Sequence, residues 1–288
     1  MKYNITIPQN FKKTSLNQLL CEEWLVPRKQ RHFLRTKKNI KVNDKYVDWS
    51  TVINAGDLIS ITFEASDFPK IENLASGNPN LVDVLYEDNH IIIVNKPEGM
   101  KTHPNHPDEI TLLNHVSSYL KQPAFVVHRL DTATSGAILF AKNQFILPIL
   151  GQMLESKKIQ RTYIALCKNH FSKNKLTINQ PLGRNRHNRK KYLVTSTGKK
   201  AITHVQVLKT IKNNSLIECQ LDTGRTHQIR VHLSHLNHPI IGDELYGQED
   251  NRLMLHARKL ELIHPLTNEF ISVEASSKSF DHNLKKRG

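Results

Sequence analysis

Residues 128–142 read HRLDTATSGAILFAK and include a short polar turn between two apolar runs. The runs at 125–128 and 137–141 have the length and composition of β-strands. Asp131 lies in the turn where the two predicted strands end, which is a common position for catalytic groups. An aspartate in such a turn more often caps backbone N–H groups. The residues around Asp131 therefore have to indicate whether its role is structural or catalytic.

A second segment of the same kind lies at 221–230 and reads LDTGRTHQIR. It also leaves a predicted strand and enters a predicted helix, and it carries Arg225 and Arg230. An arginine beside a buried carboxylate stabilises the ionised form. An ionised, oriented carboxylate can act as a nucleophile or stabilise a cationic sugar. A single aspartate without a second carboxylic acid suits an N-glycosidic bond to a good leaving base better than a sugar–sugar bond.

From residue 81 onward, predicted strands outnumber predicted helices, and strands and helices do not alternate regularly. This pattern predicts an α+β fold with a mixed, mainly antiparallel sheet rather than a doubly wound parallel one. The predicted strands are 91–94, 125–128, 137–141, 162–167, 201–208, 216–221 and 270–273, and the predicted helices are 110–120, 143–155 and 226–236.

The first 64 residues form a separate, basic pattern. Residues 2–7 alternate as a strand does, and Ser15 and Gln18 are spaced as a capping box that opens a helix. Further strands are predicted at 40–42 and 58–63. Residues 28–45 hold eight cations against one acid. A solvated charged surface is the simpler interpretation, but eight cations on a helix leading into a strand favour a phosphate-binding face. The candidate contacts are Arg28, Arg31, Arg35 and Lys38.

Composition places the chain among polyanion-binding proteins. Lys plus Arg number 41 and Asp plus Glu 26, so 41 − 26 gives a net charge of +15. With 38% apolar residues the chain can bury a core, and 23% charged residues is too few for a disordered protein. A second cluster of cations at 184–200 includes Arg184, Arg189 and Lys199. Two separated basic surfaces suit a structured RNA.

Several classes of protein lose their support because their motifs are absent from the sequence. There is no GxxxxGK[ST] of an ATP-binding phosphate loop and no GxGxxG after a strand, as a Rossmann nucleotide site would have. There is also no HExxH of a zinc peptidase and no GxSxG of a serine hydrolase. The three cysteines never form CxxC, and the histidines at 232 and 235 have no carboxylate partner, so we expect no metal site. No apolar run reaches the roughly 18 residues of a membrane helix. We expect a cytoplasmic protein.

The sequence resembles two known families. HRLDTATSGAILFAK is very similar to the central motif of the RluA-type pseudouridine synthases, and the other motifs of that family follow in order. Residues 1–64 resemble the alpha-L RNA-binding module, although Ser15 and the two residues after it replace the usual Arg-Leu-Asp. The further catalytic-unit matches are at 86–90 and 95–100, 160–165, 181–184 with 198–203, 223–232, 238–243 with 246–247, and 255–257 with 264–265.

The resemblance implies roles for individual residues. Asp131 would attack or stabilise the ribosyl fragment while the N1–C1′ bond of a uridine breaks, and the uracil would rejoin through C5 without any cofactor. Arg230 would form a salt bridge to Asp131, although Arg225 is close enough in sequence to exchange roles with it. Tyr163 would stack on the uracil and help to remove the C5 proton. Arg129 would enter the RNA stack where the flipped uridine leaves.

The resulting organisation is an RNA-binding domain at 1–64, a linker at 65–80, a catalytic domain at 81–276 and a basic tail at 277–288, of which we expect residues 281–288 to be mobile. The expected partner is structured RNA, with large-subunit ribosomal RNA favoured over transfer RNA, and the expected state is a monomer. A non-catalytic RNA-binding or assembly factor is the main alternative, and an Asn or Ala at position 131 would have favoured it. A glycosidase is a more distant alternative, because the sequence offers no second carboxylate to act beside Asp131.

Overall fold

The computed structural model describes residues 1–71 and 74–287. The amino-terminal module contains a three-stranded antiparallel sheet in the order β1-β5-β3, a small β2–β4 pair and two helical segments. Its elements are β1 (Lys2–Thr6), β2 (Thr14–Ser15), α1 (Leu16–Gln18) continued by a π-helical segment (Leu19–Glu23), α2 (Arg28–Thr36), β3 (Ile40–Val42), β4 (Val52–Ile53) and β5 (Leu58–Thr62).

The capping box predicted at the start of this module is confirmed. The Ser15 hydroxyl accepts a hydrogen bond from the Gln18 N–H at 3.2 Å, and the Gln18 side-chain oxygen accepts one from the Ser15 N–H at 3.4 Å. These two bonds satisfy N–H groups that a helix start otherwise leaves without partners. The predicted basic helix is also present, as α2.

The larger unit is built on a ten-stranded mixed sheet, which confirms the predicted α+β class. The strand order is β11-β14-β15-β10-β16-β9-β7-β6, with β17 paired to β16 and β8 to β9. Its elements are β6 (Val84–Glu87), β7 (Ile91–Lys96), α3 (Leu112–Leu120), β8 (Phe125–Val126), β9 (Ser135–Ala141), α4 (Ile146–Glu155), β10 (Ile159–Lys168), β11 (Lys175–Asn179), β12 (Leu182–Arg184), β13 (Tyr192–Val194), β14 (Ile202–Ile211), β15 (Asn214–Leu221), α5 (Gln228–His235), β16 (Leu255–Ile263), β17 (Phe270–Glu274) and α6 (Lys278–Lys285).

The pairing of β9 with β16 is parallel, whereas the other strand pairs of this sheet are antiparallel. It brings the start of β9, directly after the Asp131 turn, against the middle of the sheet. Gly136 makes this approach possible: its φ is +120°, and a Cβ there would lie 2.1 Å from the Ala257 carbonyl oxygen. A residue with a side chain cannot occupy this position without moving the strands apart.

The two units share a hydrophobic core. Tyr3 and Phe63 of the module contact Phe145, which precedes α4, with ring centroids 5.1 and 5.6 Å apart. Gln30 of α2 donates a hydrogen bond to the carbonyl oxygen of Gln144 at 3.3 Å. The segment between the units therefore connects two bodies that pack directly on each other.

The prediction of a mobile tail is wrong for the residues described up to 287. Residues 278–285 form α6, whose N-terminus is capped by the Ser277 hydroxyl. Phe280 is fully buried, with its ring 5.9 Å from that of His256 and 5.6 Å from the Arg252 guanidinium carbon. The sequence signal was the pair Phe280 and Leu284, since apolar residues four positions apart share one helix face.

No helix in the described parts of the chain is long and apolar enough to cross a lipid bilayer.

Candidate active site

The backbone of the Asp131 turn is held on both sides by hydrogen bonds. Thr102 donates its hydroxyl to the Leu130 carbonyl at 2.9 Å and accepts the Leu130 N–H at 3.2 Å. The Asp131 carbonyl accepts the Thr134 N–H at 3.0 Å. The Asp131 side chain, which is 19% exposed, is therefore carried by a backbone that hydrogen bonds hold in place.

A buried lysine also supports this turn. Lys96, at the end of β7, is fully buried and donates hydrogen bonds to the carbonyl oxygens of Pro97, Met100 and Thr132 at 2.9, 2.7 and 3.1 Å. Burial lowers the pKa of Lys96 to about 8, while the negative charge of Asp131 opposes this change. The ammonium group is thus mainly protonated at neutral pH and ties the turn to β7.

Arg230, in the first turns of α5, joins Asp131 to a second carboxylate. Its NH1 group donates to Oδ2 of Asp131 at 3.1 Å, and its Nε and NH2 groups donate to the two oxygens of Asp243 at 2.8 Å each. Asp243 is almost fully buried and also accepts the N–H groups of Leu245 and Tyr246. A bidentate fork of this kind fixes the guanidinium plane. Burial lowers the pKa of Arg230, but the hydrogen bonds and charges of Asp243 and Asp131 outweigh this effect and raise the pKa.

The geometry distinguishes the two arginines of the 221–230 segment. Arg225 is exposed and donates its Nε–H to the Lys200 carbonyl at 3.0 Å, so its guanidinium is directed toward the basic loops. Arg230 makes the salt bridge to Asp131, as the resemblance implied. Both side chains line the same pocket.

Tyr163 forms one wall of that pocket. The register of β10 against β16 shifts between Thr162 and Tyr163, which is an irregularity of the kind that re-aims a side chain. The ring is 5% exposed, and burial raises the pKa of its hydroxyl, with the charge of Asp131 acting in the same direction. Tyr163 is therefore a neutral phenol at neutral pH.

The pocket itself has a volume of ≈ 60 Å³. Asp131, Tyr163 and the buried Leu255 line it, and the exposed side chains of Arg129 and Arg225 flank it. A larger cleft of ≈ 610 Å³ lies between the amino-terminal module and the β16–β17 ends, but Asp131, Tyr163 and Arg230 do not line it. The arrangement at the small pocket combines an oriented carboxylate, an aromatic surface and exposed cations, which suits an anionic substrate carrying a planar base.

The candidate RNA contacts lie on two surfaces. Arg28, Arg35 and Lys38 are exposed on or directly after α2. Arg31 differs, because its guanidinium donates to the Val26 carbonyl at 2.9 Å and contacts the Cys21 sulfur, so it is used within the module. The second surface lies on or beside the β12–β13 hairpin and holds the other three predicted RNA contacts, which are all exposed: Arg184, Arg189 and Lys199.

Three residues of the site were not identified from the sequence. Asp243 holds Arg230, Lys96 holds the Asp131 turn, and His227 lies with Nε2 3.7 Å from Oδ2 of Asp131. Burial lowers the pKa of His227, although Asp131 opposes this. The pairing of a buried acid with an arginine thirteen residues earlier has no local sequence signal. The buried lysine could have been suspected from its position at the end of an apolar strand.

His232 of α5 is held by the protein itself. His232 is buried, with Nδ1 2.9 Å from the Thr203 hydroxyl and Nε2 2.9 Å from the Gln180 carbonyl oxygen. Both of its ring nitrogens are therefore engaged by the protein. In the described residues, no group of three or more metal-binding side chains comes together.

Comparison with known proteins gives two family matches. Residues 90–235 match the sequence model of the RNA pseudouridylate synthase family, and residues 3–59 match that of the RluD ribosomal pseudouridine synthase N-terminal domain. The first match contains Asp131, Tyr163 and Arg230. It covers just over half of the 288 residues.

Individual relatives agree with these matches. The uncharacterized RNA pseudouridine synthase YhcT of Bacillus subtilis (strain 168) is 40% identical over 249 residues, which is 83% of this chain and 81% of the relative. Ribosomal large subunit pseudouridine synthase D of Borreliella burgdorferi is 37% identical over 241 residues, or 77% and 73% of the two chains. Among solved structures, human RNA pseudouridylate synthase domain containing 1 aligns with a TM-score of 0.59 and 26% identity, covering 73% of this chain and 90% of the human one.

Proposed function

Because the chain belongs to the RNA pseudouridylate synthase family and is thus an isomerase of uridine in RNA, we propose that Asp131 is its reacting carboxylate. The observation that carries this proposal is the ion pair at 3.1 Å between Asp131 and an arginine that Asp243 clamps from the other side. The pair orients a partly exposed carboxylate at the pocket mouth. In a non-catalytic RNA-binding factor, nothing would require this arrangement.

In the reaction, the N1–C1′ bond of the uridine breaks, the uracil turns, and a C5–C1′ bond forms. The proton on C5 leaves and N1 gains one, so atoms and electrons balance without a redox step. We propose that Asp131 attacks or stabilises the ribosyl fragment. Tyr163 would provide the surface against which the base stacks and would take part in removal of the C5 proton.

Access to the uridine requires that the base leave its helical stack, which costs a few kcal/mol. Arg129 is exposed two residues before Asp131 and flanks the pocket. We propose that its guanidinium stacks in the position the flipped uridine vacates. We further expect the protein to act as a monomer.

We further propose that the substrate is large-subunit ribosomal RNA and that residues 1–64 bind it. Three observations support this: the RluD-type amino-terminal match, the exposed cations of α2, and relatives from Borreliella burgdorferi and Xylella fastidiosa whose names specify the ribosomal large subunit. A module that grips phosphates at a distance from the pocket favours a large, structured RNA.

Chemical mapping of pseudouridines across all RNA of a strain that lacks this protein tests the proposal. We expect one or more sites in large-subunit ribosomal RNA to disappear and to return when the gene is restored. Loss confined to transfer RNA would overturn the ribosomal assignment but leave the isomerase intact. An unchanged map in every RNA would contradict the proposed function itself.

A further inference from the structure

His227 connects Asp131 to one of the two basic surfaces. Its Nε2 lies 3.7 Å from Oδ2 of Asp131, and its Nδ1 lies 2.8 Å from the Tyr246 hydroxyl. The same hydroxyl accepts the backbone N–H of Tyr192 at 2.8 Å. Tyr192 begins β13, the second strand of the basic hairpin, which we define as residues 182–194. A continuous path of polar contacts therefore runs from the hairpin to the reacting carboxylate.

The donors and acceptors along this path favour one tautomer of His227. Because the Tyr246 oxygen receives the Tyr192 N–H, its own proton is available to His227. The neutral imidazole can accept that proton only at a bare Nδ1, which leaves the N–H on Nε2. This N–H then faces the carboxylate of Asp131. The His227 ring is also enclosed, since it makes edge contacts with Tyr192 and Tyr246 at 5.9 and 5.6 Å between centroids.

Both groups that approach Asp131 do so at the same oxygen. Arg230 NH1 donates to Oδ2, and His227 Nε2 also lies nearest Oδ2. Within the described residues, no side chain donates a hydrogen bond to Oδ1. A carboxylate fixed through one oxygen presents the other in a defined direction, and catalysis is sensitive to displacements of about 1 Å in such a group.

We propose that His227 is a positioning residue which, together with Arg230, fixes Oδ2 of Asp131 and leaves Oδ1 to face the ribose C1′ of the target uridine. Tyr246 selects the tautomer of His227 and ties it to the basic hairpin, so that one path of polar contacts links an RNA-gripping loop to the reacting carboxylate. This inference rests on the proposed role of Asp131 and adds to it the oxygen that reacts and the side chain that aligns it.

The backbone at position 227 limits the choice of variants. His227 has φ +55° and precedes the first residue of α5, so a replacement has to tolerate the left-handed conformation. Asparagine does so readily, but its amide reaches only as far as Nδ1, which removes the contact with Asp131. Glutamine reaches as far as Nε2 and keeps an N–H donor there. His227→Asn and His227→Gln thus differ in whether an N–H donor reaches Asp131, and Gln is the more demanding rescue because it tolerates the left-handed conformation less well than Asn.

Single-turnover rates of pseudouridine formation and RNA affinity are measured for both variants, with His235→Asn as a matched control at the exposed histidine that ends α5. We expect His227→Asn to slow the reaction about 10- to 100-fold while RNA affinity stays within about threefold. His227→Gln is expected to recover most of this loss, and His235→Asn should behave as the wild type. Equal rates for the Asn and Gln variants, or loss of affinity in place of rate, would overturn the proposal.

A second measurement addresses the tautomer. In ¹⁵N spectra of histidine-labelled protein, the His227 signal, identified by its absence in His227→Asn, should show an unprotonated Nδ1 and a protonated Nε2. Tyr246→Phe keeps the ring beside Arg230 but removes the hydroxyl, and we expect it to give a mixture of tautomers and a slower reaction. A wild-type signal with the proton on Nδ1 would refute the proposal.

Asp131→Asn, assayed in parallel, separates this inference from the proposed function. An active Asp131→Asn would remove the proposed role of Asp131. An inactive Asp131→Asn together with a fully active His227→Asn would leave that role intact and refute only the positioning by His227.

Discussion

Neutralising the exposed cations of α2 should weaken RNA binding by an amount that depends on salt. Arg28, Lys29, Arg35 and Lys38 are exposed and form no ion pair within the described residues, whereas Lys37 is paired with two acids. Each cation that contacts phosphate contributes about 0.9 to the slope of log affinity against log salt on duplex-like RNA. If half to all of the four contact phosphate, their replacement by glutamine should lower the slope by about 2 to 4.

The assay is equilibrium affinity for one structured RNA fragment over a range of salt concentrations. Substitution is preferable to deletion of residues 1–64, since deletion would expose Phe145 and the shared core. The two proteins should bind alike at high salt and differ at low salt. A control variant removes four exposed lysines near edge strand β11 instead: Lys173, Lys175, Lys209 and Lys212.

An unchanged slope in the α2 variant would mean that this helix faces solvent or another protein. An equal fall in slope in the control would mean that binding follows total charge and has no preferred surface. Either result would refute the assignment of α2 as an RNA-binding face.

Three further predictions concern chemistry and stability. Burial raises the pKa of Tyr163, so very little of its phenolate exists at neutral pH. If the rate-limiting step needs the phenolate, the reaction rate should rise about tenfold per pH unit between pH 6 and 9. A rate that does not change with pH would exclude the Tyr163 phenolate as the base. Burial lowers the pKa of His128 to about 3, so the unfolded chain binds the extra proton and stability falls as pH drops below about 6.5. Between pH 7 and pH 5 this histidine should contribute about 2 kcal/mol to the loss of stability measured by urea unfolding, and His128→Gln should reduce the loss by that amount; an undiminished loss in the variant would contradict this. Gly136→Ala should cost more than about 4 kcal/mol, since its Cβ would overlap the Ala257 carbonyl; near-normal urea unfolding would contradict this.

Much of the fold could be predicted from local patterns. The apolar runs predicted β7, β9 and β10, and the capping box at Ser15 predicted the start of the first helix. β16 was missed as a strand, although it lies in the middle of the sheet, because Arg258, Lys259 and Glu261 interrupt its apolar pattern. Its pairing with β9 and β10 is a long-range contact, which no local window contains.

The candidate site divides in the same way. Asp131, Tyr163 and Arg230 stand in short motifs and could be named from the sequence. Asp243, Lys96 and His227 act through contacts between elements far apart in the chain, so only the folded structure reveals them. Arg31 shows the opposite error, since its guanidinium is used inside the module although its neighbours on α2 are exposed.

The most direct test of the central claim is the single-turnover rate of pseudouridine formation by Asp131→Asn, with RNA affinity measured on the same preparation. The substitution preserves shape and removes the charge that Arg230 holds. We predict that no product forms above background while affinity stays within about threefold, because the carboxylate is needed for chemistry and the fold for binding. Retention of even a per cent of the wild-type rate would contradict the assignment of Asp131 as the reacting group.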